Sequence, residues 1–543
     1  MKLFILLIFH LITIYLCDLP IHCIKNDIIG EWKFSLGETT NIKSIKDKYD
    51  LTCFHEMPSK EKSSYLTFNK RNKLNIINEI KVYFKEDNTI ELENSNIIGK
   101  WTMLYDEGIE FVFENYLNHK KGMFFIFMRY DKVTNKIDDR EHKWHSYCYS
   151  TLIGWYHIGD NQWGCFYGNK LNVNTNRTTI PNYGNLNKYR FMQTQTYSQE
   201  ILSFSSQFKS QTFFVAMINS KKLSWKAKVY KALNDKTLFQ INSLLKNKSL
   251  FLGNLNEIKP KPHKYIIQDI IKGLGLQYNI GQNKELNNIV LTEKLPKHFN
   301  WLNYLSEPKE QGDCGSCYAM SLVSSLEARF RIKYENELKQ YAHIFGDDLE
   351  KFELSTQHVI RCSYYNQGCD GGFSFSVGKF FKENEMYLKE CFDNTQTTCV
   401  QQCKSNELNE INNRLSVSDY YYIGGAYGKA NETNIMNDLY INGPLVISLE
   451  PEPSFASYSS GIYTGFANKY KRQNNEPQFQ KVSHSVLLVG WGEEEINNTT
   501  MKYWVIQNSW GTVWGKHGFA KILRGYNLGN IESIGEAAIP HFK

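Results

Sequence analysis

The segment QGDCGSCYAM, residues 311–320, carries the strongest chemical signature in the chain. It runs into CYAMSLVSSLEARFRIKY, where apolar residues recur at helical spacing without Pro or Gly, so a helix is expected to start at Cys317. A thiol at that position feels the positive end of the peptide dipoles and the unpaired backbone N–H groups of the first turn. Both favour thiolate over thiol and make Cys317 a nucleophile. The competing reading is a Cys314–Cys317 redox pair, which also suits a helix start but leaves the remaining reactive groups unused.

A thiolate that attacks a carbonyl needs a group to take its proton and later hand one to the leaving amine, and imidazole does both. His484, in KVSHSVLLVGWG, opens an apolar strand that would hold it rigidly. Asn508, in IQNSWGTVWG, can bind the other imidazole nitrogen and fix the tautomer without adding charge, with Trp510 to shield that bond from water. Gln311 can offer a side-chain N–H to a developing oxyanion beside the Cys317 backbone N–H. Nucleophile, base, orienter and oxyanion donor together follow the triad logic in its Cys-His-Asn form.

The elements that must position these groups begin near residue 295, where the sequence turns rich in Gly and Cys, and HSVLLVGWG and KYWVIQNSWG read as core strands. Residues 27–168 are β-rich: short alternating apolar runs, dense in aromatics and broken by Asn, Asp and Gly, enclose Cys53, Cys148 and Cys165, with Cys23 just ahead of them. A disulfide-linked antiparallel barrel or sandwich is expected there. Between them, residues 169–294 are dominated by Asn, Lys, Ser, Thr and Gln and lack cysteine, and NEIKPKPHKY looks like an extended linker. This stretch reads as a removable pro-segment.

At 543 residues the chain favours two to four domains. Its net charge of +7 comes without a clustered basic stripe, which argues against nucleic acid as a partner. MKLFILLIFHLITIYLC, residues 1–17, has the length and order of a secretory signal peptide, and no later run is apolar enough to stay in a membrane after its removal. Sequons at Asn176, Asn247, Asn431, Asn497 and Asn498 are compatible with that route. Of twelve cysteines, Cys17 falls in the leader, so eleven enter an oxidising compartment and parity predicts one free thiol.

QGDCGSCYA, CSYYNQGCDGGFSF, SHSVLLVGWG and YWVIQNSWGTVWGKHGF resemble the papain-like cysteine proteases in order and spacing. His484 and Asn508 lie farther beyond Cys317 than the ~130–150 residues usual there, an excess that insertions near 404–418 and 466–480 would absorb. NDIIGEWKFSLG, SYCYSTLIGW, DYYYIGG and Tyr318 extend the likeness to members that release dipeptides. The resemblance implies an α+β architecture. A papain-like catalytic domain over 295–543, with a helical lobe and a β-barrel lobe, would follow an all-β exclusion domain over 18–168 and an activation peptide.

It further implies an exopeptidase that removes dipeptides from free N-termini of peptides and proteins in a lysosome, another acidic vacuole or the secreted fluid. A homo-oligomer is also known among relatives. An endopeptidase with an open cleft and an inert papain-fold binding protein are the alternatives. By resemblance the disulfides are Cys23–Cys148, Cys53–Cys165, Cys314–Cys369, Cys362–Cys399 and Cys391–Cys403. A chloride ion would be held by the Phe373 and Phe375 amides and the Tyr422 hydroxyl, with neither metal nor organic cofactor. Asp18, the first residue after the leader, would bind the substrate's ammonium group. Phe375 stands where the family usually has Tyr, and Gln507 stands where Lys is usual, a change expected to tune the surface. No role is attached to FNWL at 299–302.

Overall fold

The computed structural model describes residues 23–41, 52–55, 70–117, 120–132, 144–172, 211–231, 295–312, 314–392, 399, 403, 405–465 and 482–543. The N-terminal domain supplies β1 (Gly30–Asn41), β2 (Ile76–Phe84), β3 (Thr89–Leu92), β4 (Ile98–Leu104), β5 (Gly108–Phe113), β6 (Gly122–Lys132), β7 (Trp144–Thr151), β8 (Gly154–Ile158) and β9 (Gln162–Lys170). Pairings β1–β9 and β6–β8 close eight of these into an antiparallel barrel, while β7 lies off the ring against β6 and β9. Alternation builds its core: Trp32, Phe34, Phe84, Phe111, Phe124 and Phe166 point inward and interlock edge to face or stacked. Gly168 admits this packing, because a side-chain carbon there would overlap the Phe34 ring.

Alternation lapses in β6 and in its two barrel neighbours, β5 and β8. In β6 the consecutive residues Phe124, Phe125, Ile126, Phe127 and Met128 are all buried, because both of its faces are covered. The inner face fills the barrel, and the outer meets the catalytic domain. Phe125 and Trp155 pack on Tyr365 at ring separations of 5.0 and 4.9 Å. Tyr420 donates to Glu110 at 2.5 Å, and the Tyr427 amide donates to Thr102 at 2.9 Å.

The catalytic domain sets the Cys317–Lys333 helix against a sheet ordered β10-β14-β17-β16-β15-β13-β18-β12, with β11 (Phe299–Asn300) beside β15. These strands are β10 (Trp225–Ala227), β12 (Leu415–Tyr422), β13 (Leu445–Leu449), β14 (Tyr458–Tyr463), β15 (His484–Ile496), β16 (Thr499–Gln507), β17 (Phe519–Leu523) and β18 (Gly535–Phe542). Nearly the whole Cys317 helix is buried, so its charged residues must be matched internally. Glu327 accepts from Ser306, Lys309 and the Leu354 amide, and Arg329 donates to Asp438 and the Pro444 carbonyl. These contacts fix the helix axis and with it the thiol at its first residue.

Within the middle region, β10 pairs with β14 as the edge of the sheet, and Asn219 of the Gln211–Ser220 helix exchanges two hydrogen bonds with Ala227 of β10. The Tyr230 hydroxyl there donates to the Tyr458 carbonyl and accepts from the Gly515 amide. β9 ends at Lys170, two residues beyond the expected barrel boundary. The five disulfides form in the implied pairs, and Cys317 is the free cysteine among the described residues. Two lie wholly within the barrel domain and three wholly within the catalytic domain.

Candidate active site

Cys317 opens its helix as the periodicity predicted. His484 is the first residue of β15, and Asn508 follows the last residue of β16. These strands form an antiparallel hairpin turned at Asn497 and Asn498, both in the left-handed region. The hairpin register therefore brings together two side chains 24 residues apart: His484 Nε2 lies 2.8 Å from Asn508 Oδ1. That oxygen also accepts from the Ser509 amide at 2.9 Å, so the Asn508 amide is oriented from two sides. A carbonyl oxygen only accepts, hence Nε2 carries the proton and Nδ1 keeps the lone pair. The Trp510 ring stacks on the imidazole at 4.9 Å and covers this bond.

Cys317 is 8% exposed and His484 3%. Burial raises the thiol above its ordinary value, against the opposing amides of Ser485, Tyr318 and Cys317 itself. Burial likewise lowers His484 to about 4, with Asn508 opposing. The helix-start argument pointed to a thiolate, but in this closed arrangement desolvation outweighs the backbone donors and favours the neutral pair. Gln311 sits alongside: its Oε1 accepts from Ser509 Oγ at 2.6 Å and its Nε2 donates to the Cys314 carbonyl at 3.0 Å.

A second polar cluster adjoins this one. The Phe375 amide, in the first turn of the Ser374–Glu383 helix, donates to Glu536 Oε1 at 3.1 Å. Glu536 is fully buried on β18, directly across the strand pair from Tyr422. Its Oε2 accepts from the hydroxyl of Tyr105, a barrel residue, at 3.2 Å. Tyr105 Oη also lies 3.0 Å from Ser448 Oγ, itself 3.2 Å from Ser485 Oγ, next to His484. The Phe373 amide donates to Asn366 Oδ1 at 2.8 Å. Gly372 permits that contact: at its φ of 153° a side chain would strike Asn366. Sequence reasoning missed Glu536, although one signal was present, an acid inside the apolar run of β18 that must be paired or neutral when buried.

The residues expected to hold chloride do not fit it. Phe373 and Phe375 have already given their amide protons to Asn366 and Glu536, and the buried Glu536 carboxyl sits at the Phe375 amide on the strand paired with Tyr422. The Tyr422 hydroxyl is buried without a hydrogen bond, although the Tyr105 backbone N–H lies close by. Gln507 also differs from expectation: it is 4% exposed and donates to the Ser306 carbonyl at 2.8 Å, so it ties β16 to the segment below it and is no surface residue. FNWL anchors the domain's start, with Phe299 and Asn300 pairing with β15 and Trp301 donating to the Leu439 carbonyl. Asp18 and the leader lie outside the described residues.

Residues 295–539 match the papain family cysteine protease model, and residues 18–170 match the cathepsin C exclusion domain model. The chain is 26% identical to cathepsin C of Schistosoma mansoni, over 97% of this chain and 98% of that protein. It is 25% identical to dipeptidyl aminopeptidase 1 of Plasmodium falciparum, over 95% of this chain and 92% of that one. Human cathepsin L2 is 31% identical over 43% of this chain and 62% of that protein. With an exclusion domain ahead of the papain fold, and relatives that span both, the chain belongs to the papain family of cysteine proteases as a dipeptidyl peptidase of the cathepsin C type.

Proposed function

We propose that the enzyme removes dipeptides from free N-termini of peptides and proteins in an acidic compartment of the secretory route. The observation that carries this reading is the reach of the barrel into the active-site neighbourhood. Tyr105 stacks on Phe373 at 3.8 Å, and its hydroxyl is joined through Ser448 to Ser485, beside His484. A domain docked so close to the nucleophile shortens the cleft, which suits an exopeptidase.

In the proposed cycle His484 Nδ1 takes the Cys317 proton, and the thiolate attacks the second peptide carbonyl. The Cys317 amide and the second Gln311 Nε2 proton meet the oxyanion. His484 returns its proton to the leaving amine, and water, deprotonated by His484, then hydrolyses the thioester. Asp18 pairs with the substrate ammonium group; a blocked amine would leave that carboxylate desolvated and unpaired, which is the source of selectivity. The test compares two matched peptides, one with a free and one with an acetylated N-terminus, on mature enzyme. Dipeptide release from the free peptide alone is expected, and equal cleavage of both would overturn the exopeptidase reading.

A further inference from the structure

Glu536 is the one acid in GEAAIPHF, an otherwise apolar or neutral strand. A buried carboxyl without compensation is costly. Here its two oxygens are met by two donors of different origin: the Phe375 amide, at a helix N-terminus where negative charge is favoured, and the Tyr105 hydroxyl from the other domain. Tyr105 reaches it from a strained backbone, with φ at 51° in the left-handed region that a bulky aromatic residue seldom adopts. Its ring is clamped on Phe373, and the Phe375 ring stacks on Tyr422 at 4.2 Å. Of the donors expected to hold a free anion, the Phe375 amide meets the Glu536 side chain instead, the Phe373 amide meets Asn366, and Tyr422 stands across the strand pair from Glu536.

We propose that the Glu536 carboxyl is a tethered substitute for a bound halide: it occupies the anion position at the Phe375 amide and uses its second oxygen to anchor Tyr105 of the barrel. The enzyme then needs no chloride for activity or for docking of the exclusion domain. Burial raises this carboxyl to about 7, opposed by the Phe375 and Tyr105 donors. In either protonation state it keeps an acceptor for the Phe375 amide. A free chloride placed beside it would meet a like charge at neutral pH and a filled space at any pH. Glu536 is in these terms a positioning residue, acting on Phe373, Phe375 and Tyr105.

The test measures thermal unfolding of the full chain, and dipeptide release by the mature enzyme, in chloride and in gluconate at equal ionic strength. Wild type, Glu536→Gln and Glu536→Ala are compared. Wild type is expected to show the same melting temperature and kcat/KM in both salts. Glu536→Ala opens the anion position; it should melt lower in gluconate, lose about tenfold in kcat/KM, and recover both saturably with chloride. Glu536→Gln, isosteric and still an acceptor, should remain indifferent to halide. Saturable stabilisation or activation of wild type by chloride overturns the proposal, as does a folded Glu536→Ala that ignores chloride. Should Glu536→Ala fail to fold, the wild-type response decides. The proposal rests on the dipeptidyl peptidase reading only for its kinetic arm, since unfolding needs no turnover and distinguishes the two failures.

Discussion

Two buried polar clusters lie side by side in this molecule, and they are built by different rules. Cys317, His484 and Asn508 come from one domain, two of them from the open end of a single hairpin. Glu536, Phe375 and Tyr105 come from two domains, and Tyr105 is separated from Glu536 by most of the chain. Burial acts on both clusters alike by favouring neutral forms. Because one holds a base and the other an acid, the outcomes are opposite: His484, lowered to about 4, sheds its proton above that pH, and Glu536, raised to about 7, keeps one below that pH. The first cluster is poised to move a proton and the second to hold a surface in place. Breaking the first should therefore cost turnover, and breaking the second should cost assembly.

The sharpest contrast is expected at the nucleophile. Cys317→Ala should lower kcat by about 10^6-fold, to the detection limit, with little change in melting temperature; measurable turnover would remove the thiol from the mechanism. Asn508→Ala should cost about a hundredfold in kcat through a misoriented imidazole, while alkylation of Cys317 still proceeds. An unchanged kcat would mean that Trp510 alone orients His484. On the other side, Tyr105→Phe keeps the ring on Phe373 but leaves Glu536 Oε2 without its donor. A loss of about 1–3 kcal/mol in unfolding free energy is expected, read by chemical denaturation of the full chain.

The smallest effect is a pH slope. Glu536 binds its proton more tightly folded than unfolded, so its contribution to stability is greatest below pH 4.5 and is lost as pH rises from 4.5 to about 7. His484 does the reverse: it costs no stability above pH 6.5 and costs progressively more as pH falls toward 4. Denaturation midpoints across this range should flatten on the neutral limb for Glu536→Gln and on the acid limb for His484→Gln. Identical profiles for both variants would erase the distinction between the clusters.

Much of the catalytic centre was legible because its parts carry local signatures. A thiol before an uninterrupted helical pattern, a histidine opening an apolar strand and an amide after its neighbour strand need only secondary structure to be placed. The barrel was legible from alternation, except at β5, β6 and β8, where burial on both faces depends on a domain that sequence periodicity does not reveal. Gln507 was misread because a polar residue at a strand end looks solvated; its carbonyl partner, Ser306, belongs to a distant segment. Glu536 was missed for a related reason. Its neighbours in sequence say only that an acid is out of place, and its donors are supplied by long-range folding.

The disulfide pattern has a consequence for how the enzyme keeps its specificity. None of the five bridges joins the barrel to the catalytic domain. While the chain is continuous, the two are held together at high effective concentration. Any cut between Asn172 and Leu295 makes the barrel a ligand, retained by its aromatic and hydrogen-bonded contacts and subject to mass action. Confinement to dipeptide release would then depend on dilution, and separated catalytic domain would be expected to cleave blocked peptides that the intact assembly refuses.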